Sequence, residues 1–142
     1  MENTTNFVID DGLKTFTFSN LKNEVFAEFA FNPTDTSIIE RYEKVVDAFN
    51  GIEIQGEDVT KEYNRIAQTF KEQFDFLLNR DVSESLFRVY SPITIFADGD
   101  FFAEKVIEKI GDAIEKEMDV RLKKKAKKIA KYTNKYQKTY HK

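Results

Sequence analysis

The chain of 142 residues is 41% hydrophobic and 33% charged, a composition that suits one globular domain with a well-solvated surface. It has no cysteine, which excludes disulfides, thiolate metal sites and thiol nucleophiles together. No apolar run approaches the roughly 18 residues that cross a bilayer, and the polar, acidic N-terminus is unlike a signal peptide. We therefore expect a soluble protein of a reducing, intracellular compartment, without membrane contact.

The net charge of −3 hides two opposite halves. Residues 1–120 carry 12 Lys and Arg against 25 Asp and Glu, a balance of −13. Residues 121–142 carry Arg121, nine lysines and no acid, a balance of +10. Such a split is typical of proteins that bind a partner rather than transform a substrate. It divides the chain into a compact acidic domain, residues 1–120, and a basic C-terminal extension, residues 121–142, that is helical or disordered.

Two segments near the N-terminus predict a β-hairpin. Residues 13–19 and 24–31 alternate between two faces and are rich in phenylalanine and threonine, as β-strands are. The polar stretch 20–23 would join them as an antiparallel pair. Because a two-stranded hairpin is marginal alone, it must pack on a helix or find another strand, and its exposed edge suits a homo-oligomer.

The first predicted helix follows a turn after the hairpin. Its apolar residues recur at helical spacing from Ile38 to Phe49 and form one stripe. Thr34, Asp35 and Ser37 are all suitable N-caps, and Ser37 and Glu40 have the spacing of a capping box. Asn50-Gly51 predicts a left-handed cap at the end of the helix.

Two further main helices and one short helix are predicted after the first. The predicted fold is thus α+β, with an N-terminal antiparallel β-hairpin packed on about three main α-helices. The second helix runs from about Val59 to Leu78, and a short helix is expected within 82–90. The third begins near Phe101, and no helix breaker follows it. It can therefore continue as a long basic helix as far as Tyr140.

The sequence offers little for catalysis. Its single histidine is the penultimate residue, a poor place for a preorganised base. Asp98-x-Asp100 resembles the start of a calcium loop, but positions 5 and 12 of that loop would be Phe102 and Lys109. The acids within 53–62 stand among polar residues and suit a solvated surface. We therefore predict a protein that is not an enzyme, with no catalytic residue, metal or cofactor.

The basic end is the strongest binding candidate on residue types alone. Tyr132, Tyr136 and Tyr140 are spaced by four, so they line one face of a helix that could seat in a partner protein. Lysines with tyrosines could also contact phosphates and stack on bases, or the segment could be a solvated helix end. The lack of arginine clusters and the acidic domain weigh against nucleic acid.

Two stretches carry a resemblance to a known family. Residues 29–35 read Phe-Ala-Phe-Asn-Pro-Thr-Asp, and residues 39–44 read Ile-Glu-Arg-Tyr-Glu-Lys. Together with the preceding hairpin and the lysine-rich end, they resemble the small tail-assembly chaperones of long-tailed phages and prophages of Gram-positive bacteria. Those proteins open with a short strand pair, place an Asp at a helix start, continue with an "-RYE-" helix and end in a polar, lysine-rich helix.

The resemblance implies a function without catalysis. Such a chaperone acts in the host bacterial cytoplasm, binds the tape-measure protein, keeps its long apolar helices soluble and helps to recruit tail-tube subunits. The implied partner-binding residues lie on the exposed edge of the first helix and in the basic end: Arg41, Glu43, Lys44, Lys124, Lys128, Tyr132 and Tyr136.

Two other functions fit parts of the sequence. The acidic domain could occupy the basic groove of a host nucleic-acid enzyme or defence protein, as a small phage-encoded inhibitor would. Its acids are spread along the chain, however, rather than set in a dense stripe. A nucleic-acid binder would rest on the basic end alone.

Overall fold

The computed structural model describes residues 3–51 and 56–140 and, within them, the side chains of residues 3–51 and 61–128. The predicted α+β class is confirmed, because a two-stranded antiparallel sheet is followed by helices, the last of them long. The elements in chain order are β1 (Lys14–Ser19), β2 (Val25–Phe31), α1 (Ile38–Asn50), α2 (Gly56–Leu78), α3 (Ser83–Leu86) and α4 (Phe102–Tyr140).

The hairpin forms where the alternation predicted it. Phe16 lies opposite Phe29 in the antiparallel register. The tight turn is held by Asn20, whose side-chain oxygen accepts a hydrogen bond from the backbone N–H of Lys22 at 2.9 Å. Asn23 completes the turn in the left-handed region, at φ 62°, which asparagine tolerates better than most residues. The apolar face of β2 is buried, whereas the hairpin turn is exposed.

Phe102, the first residue of α4, lies in the middle of an aromatic core. It is fully buried, and its ring centre lies 5.6 Å from that of Phe18 on β1 and 5.6 Å from that of Phe87. Burying a phenylalanine stabilises a fold by roughly 1.5–3 kcal/mol. Phe102 therefore fixes the start of α4 against the hairpin and against the segment that follows α3.

Ser37 occupies the N-cap position of α1, but the predicted capping box and the predicted left-handed cap are both wrong. The Ser37 hydroxyl makes no capping bond to the helix, because it donates to Asp35 Oδ1 at 3.0 Å and accepts from Arg41 at 2.9 Å. At the other end Gly51 has φ −81° and ψ −8°, which is right-handed. Its N–H still bonds to the Asp47 carbonyl at 3.1 Å, so the chain leaves the helix without the left-handed step.

The later helices differ from their predicted limits. Helix α2 begins at Gly56, three residues before the predicted start, and its helical dihedral angles are interrupted at Glu62, where φ is −116° and ψ is 22°. Helix α3 is shorter than the predicted 82–90. Of the acids within 53–62, only the side chain of Glu62 lies in the described part, and it accepts a hydrogen bond from Arg65. The others lie outside it.

Candidate functional site

A broad groove of about 960 Å³ lies between the hairpin turn, the loop 91–100 and the first turns of α4. We call it the hairpin groove. Its charged rim includes Asp98, Lys105 and Lys109. Its apolar lining comes from three separate parts of the chain: Phe18, Leu21, Phe26, Tyr90, Ile95, Phe96 and Phe102.

Several large apolar side chains of the hairpin groove are exposed to solvent. Leu21, at the hairpin turn, is 104% exposed, Ile95 is 64% exposed and Tyr90 is 37% exposed. A single exposed aliphatic residue is ordinary, but several that share one concave surface with an aromatic floor mark an interaction site. Because leucine and isoleucine bring no catalytic group, this surface is suited to binding.

The floor of the groove is held by aromatic contacts. The ring of Tyr90 meets Phe26 edge-on at 5.1 Å and Phe96 edge-on at 5.5 Å. Phe96 in turn lies 5.3 Å from the buried Phe102. Such edge-to-face pairs are favoured by the ring quadrupoles and resist rearrangement. The floor is thus formed before any partner arrives.

The loop 91–100 is fixed by its backbone. The N–H of Phe96 donates to the carbonyl of Asp100 at 2.8 Å, and the N–H of Phe102 donates to the carbonyl of Thr94 at 2.9 Å. Gly99 turns the chain between them at φ 91°, a conformation that favours glycine. These bonds set the position of Ile95 at the mouth of the groove.

The acids of this loop are neutralised by a lysine. The ammonium of Lys105 forms a hydrogen-bonded ion pair with Asp98 and lies 3.8 Å from Asp100. The hydrogen bond from Lys105 lowers the pKa of Asp98, and the same bond raises the pKa of Lys105. A lysine therefore stands beside the two acids that a calcium loop would use. In the described residues, no group of three or more potential ligands is placed to hold a metal ion.

Arg41 does not lie on an exposed edge of α1, and that expectation is wrong. Its side chain is only 14% exposed. Its Nε donates to the carbonyl of Leu77 at 2.8 Å, near the end of α2, and a terminal nitrogen lies 3.1 Å from Asp35 Oδ2. The hydrogen bond from Arg41 lowers the pKa of Asp35. These contacts join the start of α1 to the end of α2, so Arg41 serves the fold.

Glu43 and Lys44 do lie on the exposed surface of α1. The ammonium of Lys44 is 3.5 Å from Glu40 one turn earlier, an ion pair between two well-exposed side chains. Such pairs are weak and break easily. Both residues are therefore accessible to a partner, and their role in binding stays a prediction.

The predicted residues of the basic end fall into two groups. Lys124 and Lys128 are exposed and line a shallow groove of about 690 Å³ that Asp10 and Asp11 also line. Tyr132 and Tyr136 belong to α4, but their side chains lie outside the described residues. The lysines of the first group have acids of the N-terminal segment nearby, which partly balance their charge.

Arg121 makes hydrogen bonds to the acidic domain, although the sequence analysis placed it in the basic extension. One terminal nitrogen donates to the side chains of Asn32, at 3.1 Å, and Thr34. The other donates to the carbonyl of Gly12 at 3.0 Å. Helix α4 passes residue 120 without a break, so the change in charge does not coincide with the end of a helix.

No family model, curated protein or solved structure matches this chain. Within residues 3–51 and 56–140, no helix is both long and apolar enough to span a membrane. The resemblance to tail-assembly chaperones therefore stays a prediction.

Sequence reasoning missed the hairpin groove. Its lining comes from the hairpin, the loop 91–100 and α4, and nothing in the spacing of these segments shows that they meet. The one local signal is Leu21, an aliphatic residue at a turn position where polar residues are usual. A second exposed apolar stretch, Phe7-Val8-Ile9, precedes β1.

Proposed function

We propose that this protein is a non-enzymatic tail-assembly chaperone that holds an apolar segment of a tape-measure protein in the hairpin groove. The observation that supports this most is the exposed pair Leu21 and Ile95 beside a preformed aromatic floor. The family resemblance of residues 29–44 supplies the identity of the partner. A chaperone of this kind needs apolar surface for its client and charge elsewhere to stay soluble.

The size of the groove fits a few side chains of one helical segment. An amphipathic helix offers such anchors at spacings of three and four residues. Each aliphatic or aromatic anchor contributes roughly 1.5–3 kcal/mol when it leaves water, and association itself costs several kcal/mol or more. Two or three anchors therefore give a modest affinity. A client that is later transferred to a growing tail has to be bound reversibly.

The charged parts of the molecule have a supporting role in this proposal. The acidic domain, at −13, keeps a complex with an apolar client in solution. Glu43 and Lys44 on α1, with Lys124, Lys128, Tyr132 and Tyr136 on α4, are the predicted contacts for further partners such as a tail-tube subunit. These contacts would add orientation and specificity more than affinity.

The test is co-production with the products of the neighbouring genes, among which the proposal requires a tape-measure protein. The groove variant Leu21→Ser/Ile95→Ser should bind less tape-measure protein in a pull-down and leave several-fold less of it soluble. The matched control is Val89→Ser/Leu122→Ser, which changes two side chains that are 54% and 56% exposed but lie outside the groove lining. It should behave as the unchanged protein does, since exposed substitutions scarcely alter stability.

Two results would contradict the proposal. One is that the unchanged protein fails to bind or to solubilise the tape-measure protein. The other is that pull-downs recover a host nuclease or defence protein instead, which would favour the inhibitor. Equal binding by the groove variant and its control would leave a chaperone whose client surface is not the hairpin groove.

A further inference from the structure

The segment before β1 exposes three consecutive large apolar side chains. Phe7, Val8 and Ile9 are 81%, 91% and 80% exposed. We call residues 3–11 the N-terminal arm. Phenylalanine, valine and isoleucine favour β-strands, yet the arm forms no strand in this structure. An exposed apolar segment with this preference is suited to pairing with the edge of a sheet.

A cleft of about 340 Å³ lies between the hairpin and the middle of α4. We call it the edge cleft. Strand β1 lines it with four consecutive residues, 16–19, and β2 lines it with Phe29 and Phe31. Helix α4 adds Ile110 and Ala113, and Lys109 lies at its border. The cleft therefore adjoins a strand that, in the described residues, pairs only with β2.

The lining residues show on which side the edge cleft opens. Thr17 and Ser19 line it although both are exposed and alternate with Phe16 and Phe18, which pack against the core. It is thus the backbone of β1 that borders the cleft. Because β2 contributes only side chains of its buried face, its backbone does not. The cleft opens along the outer edge of β1, where a third strand would bond to the backbone and place side chains in the cleft.

The volume of the edge cleft matches the side chains that the arm offers. A dry apolar cavity of about 150 Å³ admits one benzene ring, so about 340 Å³ has room for two side chains of that size. Successive side chains of an extended segment point to opposite faces. Phe7 and Ile9 therefore enter the cleft together, and Val8 stays on the outer face of the sheet.

The base of the arm is held away from the outer edge of its own β1. The Asn32 side chain donates to the carbonyl of Asp11 at 2.6 Å, and Arg121 donates to the carbonyl of Gly12 at 3.0 Å. Asn32 directly follows β2, on the inner side of β1. Folding the arm back onto its own β1 would carry both carbonyls away from these donors. Pairing with another molecule keeps both bonds.

We propose that the N-terminal arm of one copy adds to the outer edge of β1 in a second copy, with Phe7 and Ile9 in the edge cleft. The exchange is reciprocal and gives a two-fold symmetric dimer. The edge cleft meets the hairpin groove at Phe18, Ser19 and Lys109 but is lined mainly by other residues. The proposal goes beyond client binding, and it is tested on the protein alone, so its failure is separate from that of the proposed function.

Sedimentation velocity on the full-length protein tests the association. The mean mass should rise with protein concentration from that of one chain toward twice that value. The contact is apolar, so the dimer should persist at about 1 M salt, where the Debye length falls to about 3 Å. A protein that stays monomeric at its highest soluble concentration overturns the proposal, as does a dimer that high salt dissociates.

Two variants of the arm separate its faces. Phe7→Ser/Ile9→Ser should be monomeric, whereas Val8→Ser should remain a dimer, because Val8 does not enter the cleft. The matched control is Val89→Ser/Leu122→Ser, two exposed apolar residues outside the edge cleft, and it should also remain a dimer. A dimeric Phe7→Ser/Ile9→Ser, or a control that loses the dimer as fully, overturns the proposal.

A variant of the cleft tests the other side of the contact. Ala113→Phe fills the edge cleft from α4 and should be monomeric, while circular dichroism shows that it is folded. Ala113→Leu is a milder change and should weaken the dimer in the same direction. A mixture of Ala113→Phe with Phe7→Ser/Ile9→Ser should form a heterodimer, because one copy keeps the arm and the other keeps the cleft. A mixture that stays monomeric would contradict an exchange of arms.

Disulfide trapping gives the decisive result, because the chain has no cysteine of its own. Val8→Cys in one copy should form a disulfide with Thr15→Cys or Thr17→Cys in another, since these exposed threonines lie on the outer face and paired strands are roughly 4.7–4.9 Å apart. Glu28→Cys is the control. Glu28 is exposed on the same face but pairs with Thr17 from β2, so it lies one strand farther from the arm, at about 10 Å.

Three outcomes of the trapping experiment overturn the proposal. One is that Val8→Cys cross-links with neither threonine position. Another is that it cross-links equally well with Glu28→Cys. The third is that a chain carrying both Val8→Cys and Thr17→Cys yields only internally cross-linked monomers, which would show that the arm folds back onto its own β1.

Discussion

Arg41 allows a role in folding to be distinguished from a role in binding. The sequence predicted that it contacts a partner, whereas in the structure it bonds to Asp35 and to the carbonyl of Leu77. We predict that Arg41→Ala destabilises the fold, whereas Lys44→Ala, one turn away on the same helix, changes stability by less than about 0.5 kcal/mol. The difference follows from burial. The Arg41 side chain is 14% exposed, and that of Lys44 is 65% exposed.

The expected loss for Arg41→Ala is the sum of two effects. The ion pair with Asp35, which is 39% exposed, is screened by solvent and contributes less than about 1 kcal/mol. The carbonyl of the buried Leu77 loses its donor near the end of α2, which costs roughly 1–2 kcal/mol. The total is about 1–3 kcal/mol, or a fall of about 2–12 °C in Tm for a domain of this size.

Urea unfolding followed by circular dichroism measures these changes directly. Arg41→Lys should lie between the other variants, because lysine keeps the charge but not the forked geometry that reaches Asp35, Ser37 and Leu77 together. The reasoning is refuted if Arg41→Ala unfolds at the same urea concentration as the unchanged protein. It is equally refuted if Lys44→Ala is destabilised as much as Arg41→Ala.

Three more predictions follow from close contacts and charges. Gly111→Ala should destabilise the fold by about 1–2 kcal/mol, because the new Cβ would lie 2.4 Å from the Tyr42 hydroxyl. In a Tyr42→Ala background the same change should stabilise the fold by about 1 kcal/mol, because alanine favours a helix more than glycine does. Thermal melts in which Gly111→Ala shifts Tm in the same direction in both backgrounds would contradict this. Gly12→Ala should cost about 1–2 kcal/mol because φ is +85°, and an unchanged Tm would refute it. Hydrogen bonds from Arg41 and Lys14 lower the pKa of Asp35 and Glu117, respectively. They should therefore stabilise the fold when the pH is above the ordinary pKa values of 3.8 and 4.5, and this stabilisation should be lost as the pH falls below the lowered pKa values. Acid unfolding that the double variant Asp35→Asn/Glu117→Gln leaves unchanged would contradict this.

The sequence was most informative where one local rule decides the structure. Alternation along β2 predicted a strand with two different faces. Ala27, Phe29 and Phe31 on one face are buried, whereas Val25 at the start of the same face is exposed. The capping box at the start of α1 did not form, because other side chains bind the hydroxyl of Ser37. Ser37 has the right spacing for a capping box, but Asp35 and Arg41 use its hydroxyl. Local patterns cannot show this competition, because Arg41 is held partly by the end of α2.

The binding surfaces were predictable only in part. Charge marked the basic end from the sequence alone, and the described lysines there are exposed. The hairpin groove was not predictable, since Leu21 and Ile95 are separated by more than 70 positions and come together only when Phe102 packs between their segments. A groove built from three segments has no signature in any one of them. Only the fold brings its apolar residues together.

Arg121 shows why the boundary drawn from charge needs care when the basic end is tested by truncation. Its guanidinium holds the carbonyl of Gly12 and the side chains of Asn32 and Thr34, so it ties the N-terminal segment and the end of β2 to α4. A chain cut after residue 120 would lose these contacts together with the lysines. A loss of binding could then come from a loosened domain. A cut after Leu122 keeps Arg121 and removes only the basic segment, so any change in binding can be assigned to the lysines and tyrosines of that segment.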